Sequence, residues 1–300
     1  MFQTVSELIA LAQESGKPIS ELMIETEIAT SGQTRTAILE KMSANLRVME
    51  AAARRGIHED VRSRSGLTGG DARRLKQYAS SGQTLAGAVM LDSVSQAMAT
   101  NEVNAAMGVI CATPTAGSAG VVPATLLSLR GRLQSTAEAQ LRYLFTAGAF
   151  GLVVANRASI AGASGGCQAE VGSASGMAAA AAVELAGGTP QQSAEAMALA
   201  LGNMLGLVCD PVAGLVEVPC VNRNAIGTAT ALISADMALA GIVSRIPCDE
   251  VIEAMDRVGR MMPPALRETA LGGLAATPTG RRLKDQIFGY HSSKPAIKQP

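Results

Sequence analysis

The sequence contains few aromatic residues and few histidines, and each shortage excludes a class of function. Aromatic residues make up 2% of the 300 residues and tryptophan is absent, so the stacking platforms of a single-strand nucleic-acid binder are missing. His58 and His291 are the two histidines, too few for a histidine-rich zinc or non-haem iron site. They also give little support to a Ser-His-Asp or Cys-His hydrolase.

Charge is balanced overall, but lysine is missing from the long central part of the chain. The 25 basic and 25 acidic residues give a formal net charge of zero, so nothing electrostatic favours nucleic acid or an anionic membrane as a partner. No lysine occurs between Gln77 and Leu283. A pyridoxal-phosphate enzyme needs a lysine for its Schiff base. The usual cofactor for amino-acid elimination is therefore not expected here.

One long stretch of the sequence carries no charge, which raises the question whether it spans a membrane. It runs from Glu102 to Arg130, but Pro114, Pro123 and the small polar run 113–120 interrupt it, and it lacks the bulky apolar density of a lipid-facing helix. The amino terminus also lacks a basic region followed by an apolar run. We expect this stretch to be buried and the protein to be cytoplasmic, where cysteines are thiols, metal ligands or catalysts rather than disulfides.

The periodicity of apolar residues predicts helices along most of the chain. Residues 34–55 place apolar side chains at helical spacing. Thr189, Pro190 and Gln192 form an N-cap, a first-turn proline and a capping box, and so predict a helix that runs to about Leu205. Further helices are predicted at 92–110, 136–154, 172–185, 222–242 and 250–261. The scarcity of aromatic strand formers also favours helix over sheet.

The connections between these helices are rich in Gly, Ser and Thr. The clearest are at 65–71, 113–120 and 164–167. Any one of them is explained as an ordinary turn, but exposed amides in such turns can also cradle an anion, and several in one chain indicate a shared pocket. We expect one all-α domain over residues 1–290, with these loops converging on a site, and a disordered tail at 291–300.

The five cysteines do not form a C-x-x-C pair, so the spacings of zinc ribbons, thioredoxins and ferredoxins are absent. Cys167 follows two glycines, Cys209 precedes Asp-Pro, and Cys220 follows a proline. Irregular backbone of this kind can aim a thiolate at a ligand. Cys111 and Cys248 complete the set. The residues alone leave open whether all five are simply small buried hydrophobes.

Five carboxylates stand in positions from which they could orient a ligand or a substrate amine: Asp71, Glu102, Glu170, Asp210 and Glu217. Carboxylates at helix ends are more often solvated or capping. The residues alone favour that interpretation.

Several segments taken together resemble one family. They are SGLTGGD (65–71), NEVNAAMG (101–108), ATPTAGSAG (112–120), GGCQAE (165–170), CDPVAGLVEVPC (209–220) and GLAATPTG (273–280). They are similar to segments of the alpha chain of iron–sulfur-dependent L-serine dehydratases, and the resemblance extends over residues 1–290. Composition and periodicity did not indicate this family.

The resemblance implies a cofactor, a reaction and a partner. A [4Fe–4S] cluster would be held by Cys167, Cys209 and Cys220, leaving Cys111 and Cys248 without a ligand role. Three thiolates leave one iron with an open position, as a Lewis-acid catalyst requires. The implied reaction eliminates water from L-serine to give pyruvate and ammonia. The resemblance further implies a separate beta chain that carries an ACT-like regulatory module.

We expect the substrate carboxylate to bind at the glycine-rich loops, with Thr68, Gly69, Gly70 and Ser118 as candidates, because backbone amides and hydroxyls can hold a carboxylate without a nearby lysine. The base that removes the Cα proton is not identified by the sequence. His58 lies in a charged surface stretch, and histidine is otherwise confined to the tail. The simplest hypothesis is that the beta chain supplies the base.

Two alternative functions are also consistent with the sequence. One is an L-cysteine desulfidase, which is related by fold, is also iron–sulfur dependent and releases sulfide instead of water. The other is a non-catalytic iron–sulfur scaffold or sensor. Comparing ammonia release from serine and from cysteine separates the two enzymes, and a complex that holds a full cluster but converts no amino acid would favour the scaffold.

Overall fold

Helices make up the regular structure of the computed structural model, which describes residues 2–289. Within that range the thirteen α-helices are α1 Val5–Ser15, α2 Ile19–Ser31, α3 Arg35–His58, α4 Asp71–Ala79, α5 Ala88–Ala105, α6 Val121–Arg132, α7 Ala137–Arg157, α8 Gly162–Gly165, α9 Ser173–Leu185, α10 Pro190–Gly202, α11 Cys220–Leu239, α12 Cys248–Met261 and α13 Pro278–Phe288. No strand occurs between residues 2 and 289. The prediction of a single all-α domain is confirmed.

Helix α9 forms the centre of the core. Its side chains from Ser173 to Val183 are all buried, and it packs against α6, α7, α10 and α11. Most of these side chains are alanine, glycine or serine, so the surrounding helices approach closely on every side, as a fully buried helix requires. At Gly176 an added Cβ would lie 2.9 Å from Met197 Cγ. Because α9 begins shortly after Cys167, the core supports the cysteine-bearing turn from behind.

The predicted helix boundaries are confirmed where a capping signal marks them and are displaced at several other positions. The capping box is present: Gln192 N donates to Thr189 Oγ1 at 3.2 Å, and Thr189 N donates to Gln192 Oε1 at 2.9 Å. Helix α10 ends at Gly202 rather than near Leu205. The helix predicted at 92–110 lies instead at 88–105, because Met107 takes a positive φ of 61° and ends the helical path. Sequence patterns did not predict α1, α2, α4, α6, α8 or α13.

The uncharged stretch after Glu102 forms the end of α5, a loop and α6. The first part of α6, Val121–Leu127, is buried against the core. Nowhere in residues 2–289 is a helix long and apolar enough to cross a bilayer. The expectation that this stretch is buried within the protein is therefore confirmed for the first part of α6, but it is wrong for the loop before it, where Met107 and Val109 are exposed.

Helix α4 begins where the 65–70 loop ends, and a carboxylate from the core closes its N-terminus. Glu102 Oε1 accepts hydrogen bonds from Asp71 N at 2.8 Å and Ala72 N at 3.3 Å, which satisfies amides that the helix itself leaves without a partner. Glu102 is 1% exposed, and its Oε2 has no hydrogen-bond partner among the residues described. Burial raises the pKa of this carboxyl, although the backbone donors oppose the shift.

This raised pKa predicts a pH-dependent contribution of Glu102 to stability. The unfolded chain releases the Glu102 proton near the ordinary value of 4.5, whereas the folded protein retains it to higher pH. The contribution is therefore complete below that value and is lost as the pH rises through the folded pKa. Glu102→Gln cannot titrate, so the free energy of unfolding of the wild type minus that of the variant should decline as the pH rises.

Urea denaturation at a series of pH values from about 4 to about 8 measures this difference. Glu14→Gln is a matched control because Glu14 is exposed on α1, and its difference curve should be flat. A curve for Glu102→Gln that is equally flat would contradict the prediction.

Candidate metal centre

Cys167 lies directly before a π-helical turn that begins at Gln168 and runs into α9. The buried amide side chain of Gln168 holds this turn on two sides: its Nε2 donates to Met255 O at 2.9 Å, and its Oε1 accepts from Gly206 N at 2.9 Å. Gln168 N also donates to Leu207 O at 3.0 Å. Short π turns are frequent at functional sites, and here the turn fixes the backbone that carries the thiol.

Cys209 lies in an extended segment that pairs with the chain beyond α12. Cys209 N donates to Leu266 O at 2.9 Å, and Glu268 N donates to Cys209 O at 2.7 Å, which makes an isolated parallel bridge. The next residue, Asp210, accepts a hydrogen bond from Leu274 N on Oδ2 at 2.6 Å. The C-terminal part of the domain therefore positions this second cysteine.

Cys220 is the first residue of α11, and the segment before it is tied to the 65–71 loop. Glu217 is buried and accepts hydrogen bonds from Ser65 Oγ at 2.8 Å and from Thr68 Oγ1 at 2.9 Å. The first glycine-rich loop is thus connected to the segment that carries Cys209 and Cys220.

The loop at 113–120 reaches the same region from another side. Thr115 Oγ1 donates to Glu170 Oε1 at 2.7 Å, and the carbonyl of Gly117 accepts from Asn224 Nδ2 of α11 at 2.7 Å. The hydroxyl of Ser118 is buried and donates to a main-chain carbonyl of its own loop at 3.0 Å. As predicted, glycine-rich loops converge on one region.

Three potential donors meet there. Cys167 Sγ, a Glu170 carboxylate oxygen and Cys209 Sγ all lie within 4.8 Å of one another. Cys220 does not belong to this tight group, but it is buried. Burial and a negative charge on nearby Cys167 both raise the pKa of its thiol. At Gly162 an added Cβ would lie 2.5 Å from Glu170 Oε2 and 3.0 Å from Cys209 Sγ. Any larger residue at position 162 would collide with these donors, so their close packing against this loop requires glycine.

The electrostatic surroundings favour the thiolate form of Cys167 in particular. A hydrogen bond with Cys209 lowers the pKa of the Cys167 thiol, and the nearby Arg223 guanidinium acts in the same direction against burial. Burial raises the pKa of the Cys220 thiol and of the Glu170 carboxyl. Buried thiols beside a cation and a carboxylate are a donor set suited to iron or zinc.

The sequence interpretation that the five carboxylates are solvated or capping is wrong for most of them. Buried carboxylates are Glu102, Glu170, Asp210 and Glu217, whereas Asp71 is exposed. Glu102 does cap a helix, but from within the core. The other three are buried because loops distant in sequence supply their donors, and a single sequence does not reveal such partners.

The remaining cysteines and histidines have other surroundings. Cys248 begins α12 and is buried in the main core, and Cys111 is half-buried with its Sγ 3.5 Å from Asn45 O. His58 is exposed at the end of α3. His291, like the predicted tail at 291–300, falls outside the described residues.

Sequence reasoning missed Arg223, Gln168 and Gly162, although each contributes to the site. Arg223 follows Cys220 by about one helical turn, which is the one local signal that connects it with a cysteine. For Gln168 and Gly162 the sequence shows only their closeness to Cys167, because their contacts are with residues remote in the chain.

Comparison with known proteins agrees with this arrangement. The profile of the family described as "Serine dehydratase alpha chain" matches residues 14–275. The chain is 65% identical over 289 residues to the "Probable L-serine dehydratase, alpha chain" of Bacillus subtilis (strain 168), and the aligned residues are 96% of each protein. It is 44% identical over 284 residues to the "L-serine dehydratase, alpha chain" of Peptoniphilus asaccharolyticus, covering 95% of this chain and 97% of that one.

A longer relative matches over part of its length. The "L-serine dehydratase 1" of Escherichia coli (strain K12) is 38% identical over 285 residues, which are 91% of this chain and 61% of the relative. The family profile, the two nearly full-length matches and the segments that form the site all lead to one assignment. The chain belongs to the serine dehydratase alpha chain family.

Proposed function

We propose that this chain is the alpha chain of an iron–sulfur-dependent L-serine dehydratase, a lyase that converts L-serine into pyruvate and ammonia by eliminating water. The observation that carries the proposal is a buried group of two thiols and a carboxylate in a chain that matches named alpha chains over nearly its whole length. The central part of the chain without lysine supports a reaction that does not use pyridoxal phosphate.

In this proposal Cys167, Cys209 and Cys220 hold a [4Fe–4S] cluster. The donor set fits such a group, because all three thiols are buried and two of them, Cys167 and Cys209, lie with the Glu170 carboxylate within 4.8 Å of one another. When bound, a cluster with three thiolate ligands supplies an iron with an open position that acts as a Lewis acid toward the hydroxyl of serine. Burial of the site keeps bulk water away from that position.

The glycine-rich loops have the task of orienting the substrate. We assign Thr68, Gly69, Gly70 and Ser118 to the binding of its carboxylate. At Gly69 φ is +133° and an added Cβ would lie 2.2 Å from Val61 O, so this turn requires glycine in order to pack against the backbone of the preceding segment. The hydrogen bond from the Thr68 hydroxyl to a carboxylate of the cysteine segment keeps the loop next to the thiols.

Elimination also requires a base for the Cα proton, and we propose that a separate beta chain with an ACT-like module supplies it. His58 is not positioned to act as this base, because it lines a separate surface cavity with Lys76 and Asp92. The names of the two nearly full-length relatives, which specify an alpha chain, support a second subunit. Glu170 is the carboxyl of this chain that lies beside the thiols, and it is the alternative base.

Cysteine variants test the ligand assignment. Cys167→Ser, Cys209→Ser and Cys220→Ser should each lose the iron–sulfur absorbance and the formation of pyruvate from serine, because each removes a thiolate from the cluster. Cys111→Ser and Cys248→Ser are the matched controls and should retain both. Anaerobic purification followed by iron and sulfide determination gives the measurement. Cluster loss in Cys248→Ser but not in Cys167→Ser would show that the ligands are assigned wrongly.

The substrate loops are tested by removing two hydroxyls. Ser118→Ala and Thr68→Ala should raise KM for L-serine by about 3- to 10-fold, because each hydroxyl donates a hydrogen bond that holds its loop in the shape that presents the backbone amides to the substrate, while the iron content stays at the wild-type level. Thr30→Ala on α2 is a control, because that exposed hydroxyl bonds only within its own helix. Unchanged KM in both loop variants would remove these side chains from the substrate site.

The two-chain hypothesis predicts that the alpha chain alone holds its cluster but turns over serine negligibly, and that adding the beta chain restores pyruvate formation. Full activity of the alpha chain alone would overturn it, and a loss of that activity in Glu170→Gln with the cluster intact would then identify the base. Assays with L-cysteine run in parallel: faster release of sulfide from L-cysteine than of pyruvate from L-serine would favour the desulfidase. A full cluster without turnover in the complex would favour a non-catalytic scaffold.

A further inference from the structure

Arg223 lies among the proposed cluster ligands, and the reaction outlined above does not use it. Its Nη1 donates hydrogen bonds to Cys167 Sγ at 3.3 Å and to Val208 O at 2.8 Å, and its Nη2 donates to Asp210 Oδ1 at 2.7 Å. One side chain of α11 thus contacts the turn of the first cysteine and both neighbours of Cys209.

The burial of this ion pair is unusual for the protein. The side chain of Arg223 is 13% exposed and that of Asp210 is 4% exposed. Removing two charges from water is costly, and a buried ion pair seldom stabilises a fold better than apolar residues of the same volume. Fold stability alone therefore does not account for an arginine at this position.

The geometry requires arginine rather than any cation. The planar guanidinium presents several N–H donors in a fixed fork, and here the fork serves a sulfur, a carbonyl and a carboxylate at once. Asp210 holds the fork in place, because its second oxygen accepts from Leu274 N at 2.6 Å. The guanidinium consequently has little freedom to turn away from Cys167.

We infer that Arg223 is a positioning residue for the cluster: it fixes Cys167 Sγ relative to the Cys209 segment, and its charge stabilises the electron-rich sulfur. This inference rests on the proposed function. Hydrogen bonds to a cluster sulfur and nearby positive charge favour the reduced state and therefore raise the reduction potential. Groups that orient metal ligands also strengthen retention of the metal.

The test compares variants of the full-length chain purified anaerobically with its cluster. Arg223→Met should lower the midpoint potential of the cluster and speed the transfer of iron to a chelator by about tenfold. Arg130→Met is the matched control, since Arg130 forms a partly exposed ion pair with Glu50 on other helices and should change neither quantity. Loss of packing alone gives no reason for the potential to fall, whereas loss of a hydrogen-bond donor and a positive charge does.

A second variant separates the effect on sulfur from the effect on Asp210. Arg223→Met leaves a buried carboxylate without its counter-ion, which can destabilise the fold, so Arg223→Met/Asp210→Asn removes both charges. The inference requires the lower potential and faster iron loss to persist in this double variant, with the thermal melting temperature of the cluster-free protein restored. Recovery of the wild-type potential and iron retention would overturn it, because Arg223 would then act only as the counter-ion of Asp210.

Different results would refute the proposed function and the role of Arg223. A wild-type chain that binds no cluster would refute the proposed function and this inference together. A wild-type chain with its cluster, and an Arg223→Met variant with the same potential and iron release, would refute the inference alone.

Discussion

Buried carboxylates need hydrogen-bond donors, and in this protein loops distant in sequence supply them. Glu102 accepts from the first turn of α4, Glu217 from the 65–68 loop, Glu170 from Thr115, and Asp210 from α11 and the 273–276 turn. Leaving any of these oxygens without donors in a low-dielectric interior costs more than an ordinary hydrogen bond contributes. The same contacts that satisfy the carboxylates therefore gather the glycine-rich loops around the thiols.

The alanine-rich core makes this arrangement possible. Because most side chains of α9 are small, helices pack closely around it. Cys167 lies just ahead of α9, while α11, which begins with Cys220, packs along it. A core of larger side chains would separate these helices and with them the cysteines. The site thus depends on the packing of residues that take no part in its chemistry.

The sequence predicts what depends on neighbours in the chain. Apolar periodicity and the capping box at Thr189 identify helices because both are signals within about one or two turns. The contacts of Arg223 and of the carboxylates were not predicted, because they join residues that are far apart in the chain. Examples are the hydrogen bonds of Asp210 with Leu274 and of Glu217 with Thr68. Helix α4 escaped prediction because it is short and mostly exposed, so apolar periodicity gives no signal there.

The pairing of Cys209 with residues 266–268 has a consequence for biosynthesis. During translation the chain emerges from its N-terminus onward, so Cys167, Cys209 and Cys220 are all synthesised before the segment that fixes the middle one. The bridge at Cys209 and the hydrogen bond from Leu274 to Asp210 cannot form until that late segment has left the ribosome. Any metal group that needs the finished geometry is consequently installed after synthesis of the domain is nearly complete, and a nascent chain arrested before residue 266 would present its thiols unassembled.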